Sequence, residues 1–233
     1  MIAWTIRRRH SSHPLLQLGA FAAVFHCVLA MLLSPSVRAD ARAAPVRIVA
    51  FGDSLTAGFR LAPGEAFPVK LQQALRALGH NVEVANAGVS GDTTGAGLAR
   101  LDWSVPDGTQ IVILELGAND ALRGLDPAVA RRNLEEIIKR LKAKGATVLL
   151  AGMRSPKNWG EEQASRFDAI FPDLAEAHGL ALYPFFLEGI ALRADLNLDD
   201  GLHPNAQGVD VIVAGILPYV EKLVKAVRNK TGG

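Results

Sequence analysis

With 233 residues the chain is long enough for one domain of ordinary size and a further segment at its front. Its formal net charge is +2, but residues 1–39 hold Arg7, Arg8, Arg9 and Arg38 and no acidic residue, so residues 40–233 carry 21 basic against 23 acidic residues, a net of −2. That balance gives no ground for a nucleic-acid partner; the single cysteine, Cys27, also lies in the front segment, so the remainder must rely on its apolar core without disulfides.

The front segment has the order of a secretory signal peptide. Arg7-Arg8-Arg9 is followed by a mostly apolar run over 15–33 and then by Val37-Arg38-Ala39, a small-residue cleavage site. Cleavage after Ala39 would start the mature chain at Asp40 and send it to the periplasm or out of the cell. The run is about as long as a membrane span, so an uncleaved anchor is the competing reading. Gln17 and His26 interrupt it and favour cleavage, with no stable insertion of the mature chain.

After a short lead-in, strands and helices alternate. The β-branched run 46–51 is a buried strand, and Gly52-Asp53-Ser54-Leu55-Thr56-Ala57-Gly58-Phe59 is its exit turn. Phe67, Leu71, Ala74, Leu75 and Leu78 keep helical spacing up to Gly79. A second strand over 82–85 leads into Asn86-Ala87-Gly88-Val89-Ser90-Gly91-Asp92, and a short helix over 93–103 follows. The third strand, 111–116, exits through Gly117-Ala118-Asn119-Asp120. Asp126 and Pro127 mark the start of a helix whose apolar face is Leu134, Ile137, Ile138 and Leu141, with lysines and Arg140 at its negative end. A fourth strand over 147–150, a helix through Phe167 and Leu174 bent at Pro172, a fifth strand over 180–185 and a last helix from Val209 to Leu223 complete the chain.

This alternation predicts an α/β fold: a flavodoxin-like three-layer α/β/α sandwich with a five-stranded parallel sheet of order 2-1-3-4-5, spanning residues 40–233. Right-handed crossovers put all strand exits on one edge, so the loops 52–58, 86–92 and 117–120 converge there.

A serine at such an edge needs a base to act as a nucleophile. His80 and His178 adjoin glycines at helix C-termini, where the dipole alone accounts for them. His203 lies instead in the polar loop Leu198-Asp199-Asp200-Gly201-Leu202-His203-Pro204-Asn205. A turn through Gly201 would let the Asp200 carboxylate hold the His203 Nδ1–H and leave the other ring nitrogen as a base. An Asp cap or surface ion pair would look similar. A metal site fails for want of further histidine or cysteine ligands, and no cofactor is implied. For a developing oxyanion the same edge offers the Ser54 amide, the Gly88 amide and the Asn119 side chain, each of which could equally be a turn or capping group.

Taken together, Gly52-Asp53-Ser54-Leu55, Gly88 within Asn86-Ala87-Gly88, Gly117-Ala118-Asn119-Asp120 and Asp200-Gly201-Leu202-His203-Pro204 resemble the blocks of the GDSL or SGNH hydrolases, over about residues 46–224. Leu122-Arg123-Gly124 and Pro184-Phe185-Phe186 make the chain similar to the bacterial periplasmic subgroup with thioesterase, arylesterase and lysophospholipase activity. The resemblance implies Ser54 as nucleophile, His203 as base, Asp200 as its orienter, and Ser54, Gly88 and Asn119 as the oxyanion hole. It also implies that the loop 120–126 closes over an acyl chain. The expected enzyme is a monomeric, exported hydrolase of carboxylic esters or thioesters, including lysophospholipid.

Leu122, Leu125, Trp159, Phe185, Phe186 and Leu187 could form an apolar bed for the acyl group, or simply pack the core; Asp53, Leu122, Trp159 and Phe185 are the candidate substrate contacts. Two alternatives stay open. A carbohydrate O-acetylesterase would use the same triad with a smaller pocket. A flavodoxin-like phosphate-binding protein would have no need of Asp200 and His203.

Overall fold

The computed structural model describes residues 44–231, so the arginine-led segment and the cleavage site after Ala39 lie outside the described residues. Five strands, β1 (Val46–Gly52), β2 (Val82–Gly88), β3 (Ile111–Glu115), β4 (Thr147–Ala151) and β5 (Ala181–Tyr183), form one parallel sheet in the order β2-β1-β3-β4-β5, as the alternation predicted. Burial follows position in the sheet. The central strand β3 is buried at every residue, whereas the edge strands β2 and β5 are partly exposed. That exposure explains why β2 alternates apolar and polar residues.

The helices are α1 (Ser54–Ala57), α2 (Phe67–Ala77), α3 (Thr94–Ser104), α4 (Ala118–Leu122), α5 (Pro127–Ala143), α6 (Glu161–Asp168), α7 (Ile170–His178) and α8 (Ala206–Thr231). Crossovers of one hand that run in opposite directions from β1 put helices on both faces of the sheet. Thus α2 packs with α8, while α3 packs on α5 and α5 on α7. Asp126 caps α5 as expected, accepting from the Ala128 amide at 2.9 Å. The core is one contiguous cluster that includes Phe51, Phe67, Phe167, Phe171 and Phe186.

The fifth strand is three residues shorter than the expected 180–185, and two further differences concern a helix and a strand. The helix expected to bend at Pro172 is two helices that part at Ala169. Proline has no N–H to donate to the Asp168 carbonyl four residues back, so the break falls there. The second strand continues to Gly88, because its backbone stays paired with β1 up to Gly52.

The register positions the site. Gly52 is level with Gly88 and Glu115, Glu115 with Ala151, and Ala151 with Tyr183. The strands therefore end in one row, and their exit loops share one edge.

Candidate active site

Ser54 is the first residue of α1, directly after the N-cap Asp53, whose Oδ1 accepts from the Leu55 amide at 3.0 Å. The cap turns the chain sharply from β1 and sets Ser54 Oγ over the sheet edge. Ser54 is almost fully buried, yet it lines a cavity.

His203 reaches this serine from the segment between β5 and α8. An antiparallel bridge between Asn197 and Pro204 closes the loop, and Leu198 N–H donates to the His203 carbonyl at 2.7 Å. Gly201 sits at φ 69°, a conformation that favours glycine, and this reverses the chain so that Asp200 faces the ring. Asp200 Oδ2 lies 2.8 Å from His203 Nδ1, and His203 Nε2 lies 2.9 Å from Ser54 Oγ. An ionised carboxylate only accepts, so Nδ1 carries the proton and Nε2 is left to accept from the serine hydroxyl. Burial pushes the Asp200 carboxyl up, but hydrogen bonds from the His203 and Leu202 amides and from the ring outweigh it and hold the group at about 2. The Phe59 ring packs on the imidazole with centroids 4.4 Å apart.

The expected oxyanion donors divide. Ser54 N–H, at the start of α1, donates to none of the described residues. Asn119 lines the same cavity, and its amide nitrogen donates to Asp53 Oδ2 at 3.1 Å and to the Asp92 carbonyl at 3.0 Å. Gly88 does not offer the expected donor, because its N–H is taken by Asn86 Oδ1 at 2.9 Å. A glycine is needed there for another reason: an added Cβ would lie 2.3 Å from the Ala57 nitrogen and 2.8 Å from the Asp53 carbonyl oxygen. Gly91, three residues on, has an N–H that donates to none of the described residues, and its neighbour Asp92 is the residue that Asn119 holds.

Residues 50–211 match the GDSL-like lipase/acylhydrolase family. An arylesterase of Vibrio mimicus is 42% identical over 165 residues, 69% of this chain and 81% of that protein. The thioesterase 1/protease 1/lysophospholipase L1 of Escherichia coli is 36% identical over 183 residues, 78% of this chain and 86% of that protein. The crystal structure of AlinE4, an SGNH-hydrolase family esterase, is 48% identical with a TM-score of 0.66, covering 77% of this chain and 97% of that one. The chain belongs to the GDSL-like lipase/acylhydrolase family. It is accordingly a serine ester hydrolase.

For this GDSL hydrolase the cavity beside Ser54 measures about 420 Å³. Its walls are largely apolar: Leu55, Leu122, Met153, Phe185, Leu187 and Leu202 line it together with Asn119 and His203. Leu122 and Phe185 thus lie where a substrate could touch them. Of the other residues named for the substrate or the acyl bed, Asp53, Leu125, Trp159 and Phe186 lie outside the cavity wall. The Asp53 side chain is fully buried and turned toward Leu55 and Asn119, so it supports the site from beneath. Trp159 lies against the backbone of the loop after α4, where a side chain on Gly124 would meet its ring at 3.0 Å; it is not part of the cavity wall. Phe186 is core, edge-on to Phe67 at 5.1 Å.

Beneath the nucleophile sits a carboxyl group for which the sequence reading had no role. Glu115, at the end of β3, accepts from Thr56 Oγ1 at 2.7 Å and from the Asp53 amide at 3.3 Å through Oε2, while its buried Oε1 has no partner among the described residues. Burial, and next the charge of Asp53, push its pKa well above the ordinary carboxylate value under the GDSL turn. Burial likewise raises Asp53 to about 6, against the opposing hydrogen bonds from Leu55 and Asn119. A glutamate between the apolar run Ile111-Val112-Ile113-Leu114 and Leu116 was the visible signal. Among the described residues, no group of His, Cys, Asp and Glu is placed to hold a metal ion.

Proposed function

We propose that Ser54, His203 and Asp200 are the catalytic triad of an exported, monomeric hydrolase of carboxylic esters and thioesters with apolar acyl groups. The observation that carries this is the unbroken line from Ser54 Oγ to His203 Nε2 at 2.9 Å and from His203 Nδ1 to Asp200 Oδ2 at 2.8 Å, at the mouth of an apolar cavity. Ser54 Oγ bonds to the acyl carbon while its proton passes to His203 Nε2. The imidazolium, held by Asp200, then gives that proton to the departing alcohol or thiol as its bond to carbon breaks. Water then bonds to the acyl carbon as it gives a proton to the same nitrogen, and the carbon–Oγ bond breaks as that proton returns to Ser54 Oγ, which releases the acid. Negative charge on the carbonyl oxygen is met by the Ser54 and Gly91 amides and by Asn119, which exchanges one of its present acceptors for it.

The arylesterase and the thioesterase/lysophospholipase named above support aryl esters, acyl thioesters and lysophospholipids as substrates. The alternative, a carbohydrate O-acetylesterase, would have no use for a wall built of Leu55, Leu122, Met153 and Phe185, and this wall favours longer acyl chains. Export rests on the order of charged, apolar and small residues before Asp40. Among the described residues no helix is long and apolar enough to cross a membrane. Hydrolysis rates for p-nitrophenyl esters from acetate to palmitate test the reading: medium or long chains should be preferred in kcat/KM, and a maximum at acetate would favour the acetylesterase.

A further inference from the structure

Four exit loops must hold their relative positions for the site to work, and beyond the last paired row of the sheet no strand ladder fixes them. The group that ties three of them lies on α3. Arg100 is buried to within 6% of full coverage, and its Cζ stands 4.3 Å over the Phe51 ring. Its guanidinium donates in three directions. Nη2 donates to the Gly52 carbonyl at 2.8 Å, two residues before Ser54. Nη1 donates to the Ala87 carbonyl at 2.9 Å and to Ser104 Oγ at 3.1 Å. Nε meets Asp92 Oδ2 at 2.5 Å, and the carbonyl of Asp92 is an acceptor for Asn119.

These contacts close a circuit. Asn119 holds Asp53 and Asp92; Asp92 is held by Arg100, and Arg100 holds Gly52, the residue next to Asp53. The helix that bears Arg100 is itself fixed to the Asn119 loop. Asp120, the next residue, accepts from the Thr94 amide at 2.8 Å and from Thr94 Oγ1 at 2.6 Å. One planar cation thus sets the distance from the nucleophile turn to the Gly91–Asp92 turn and, through Asp92, to the Asn119 amide. A lysine cannot take its place, because one ammonium lacks the fork that reaches Gly52, Ala87 and Asp92 at once.

We propose that Arg100 is the positioning residue of the oxyanion hole. It touches neither Ser54 nor the cavity, and it acts by holding the Gly91 and Asn119 donors at the right distance from Ser54 Oγ. This rests on the triad and donors proposed above, and the two can fail separately. An active Ser54→Ala enzyme would overturn the triad, whereas a fully active Arg100 variant overturns this inference alone.

The test uses Arg100→Ala and Arg100→Lys of the full chain, with p-nitrophenyl butyrate as substrate and well below each variant's thermal midpoint. A misplacement of about 1 Å at a reacting centre costs about 10²-fold. Accordingly kcat should fall by about that factor in both variants, with KM nearly unchanged. The rate of covalent inactivation by a p-nitrophenyl phosphonate, which also places negative oxygen in the hole, should fall with it. In Arg100→Ala, millimolar guanidinium chloride should restore part of kcat, and ammonium chloride at equal ionic strength should not. Full activity in folded Arg100→Lys would overturn the proposal. So would a loss that follows the folded fraction and that guanidinium leaves unchanged, which would make Arg100 a packing residue only. If Arg100→Ala does not fold, the drop in kcat and in phosphonate rate at unchanged KM in Arg100→Lys decides.

Discussion

Replacing Asp200 by asparagine alters one atom's chemistry and keeps the side chain's shape, and the loop dictates how the new amide must lie. Asp200 Oδ1 accepts from the Leu202 amide at 2.9 Å and from the His203 amide at 3.0 Å. Both neighbours are donors, so the asparagine must keep its carbonyl oxygen on that side. Its NH2 then faces His203 Nδ1, across the 2.8 Å that the carboxylate spans now. A donor there leaves Nδ1 bare and puts the ring proton on Nε2, which faces Ser54 Oγ at 2.9 Å and can no longer accept. The enzyme would be folded but without a base. In the Ser-His-Asp template this tautomer error costs about 10⁴ in kcat, or about 5.5 kcal/mol at about 1.4 kcal/mol per factor of ten. KM should change little, since Asp200 does not line the cavity. Steady-state kinetics on p-nitrophenyl butyrate, with a melting curve to confirm folding, measure both. A loss of less than a few-fold in a folded variant would refute the orienting role of Asp200.

Three further outcomes are expected. Asn119→Ala removes one oxyanion donor and should lower kcat by roughly 10²–10³; retention of wild-type kcat would remove Asn119 from the hole. Leu122, half-exposed on the cavity wall, should contribute about 1 kcal/mol to a long acyl chain, so Leu122→Gly should raise KM about fivefold for long esters and leave acetate unaffected. Equal effects on both would refute its contact with the chain. Glu115 has its pKa raised in the native state by burial, so the proton it holds favours folding below its unfolded value, and that contribution is lost as pH rises through the native value. Glu115→Gln mimics the neutral acid and should flatten the fall of the melting temperature on the alkaline side; an unchanged pH profile would show that Glu115 is not held neutral.

The parts of the fold that were legible in the sequence are those set by local rules. The β-branched runs, the capping pair Asp126-Pro127 and the glycines at element ends gave the alternation of strands and helices, and the alternation with right-handed crossovers gave the shared edge. Ser54 and the Asp200–His203 pair were legible for the same reason, because a strand exit and a three-residue turn are local. What stayed hidden depends on where a side chain turns. Asp53 next to Ser54 looked like a substrate contact, although an Asp before a helical turn is also the ordinary N-cap, and it is the cap that the backbone uses. Gly88 and Gly91 are equivalent in composition. Only the pairing of β2 with β1 out to Gly52 shows that Gly88 is a packing glycine. Arg100 carries no signal in the sequence, since its acceptor at Gly52 lies 48 residues away and is a carbonyl with no signature of its own. Trp159 was placed by its neighbours in sequence, whereas its ring rests on Gly124.

The most direct test of the account is a comparison of the wild-type enzyme with Ser54→Ala on p-nitrophenyl octanoate, joined to intact mass measurement after a p-nitrophenyl phosphonate. The account predicts turnover and one stoichiometric phosphonyl adduct on Ser54 in the wild type, and neither in the variant. Turnover that persists in Ser54→Ala, or an adduct on any other residue, would contradict it.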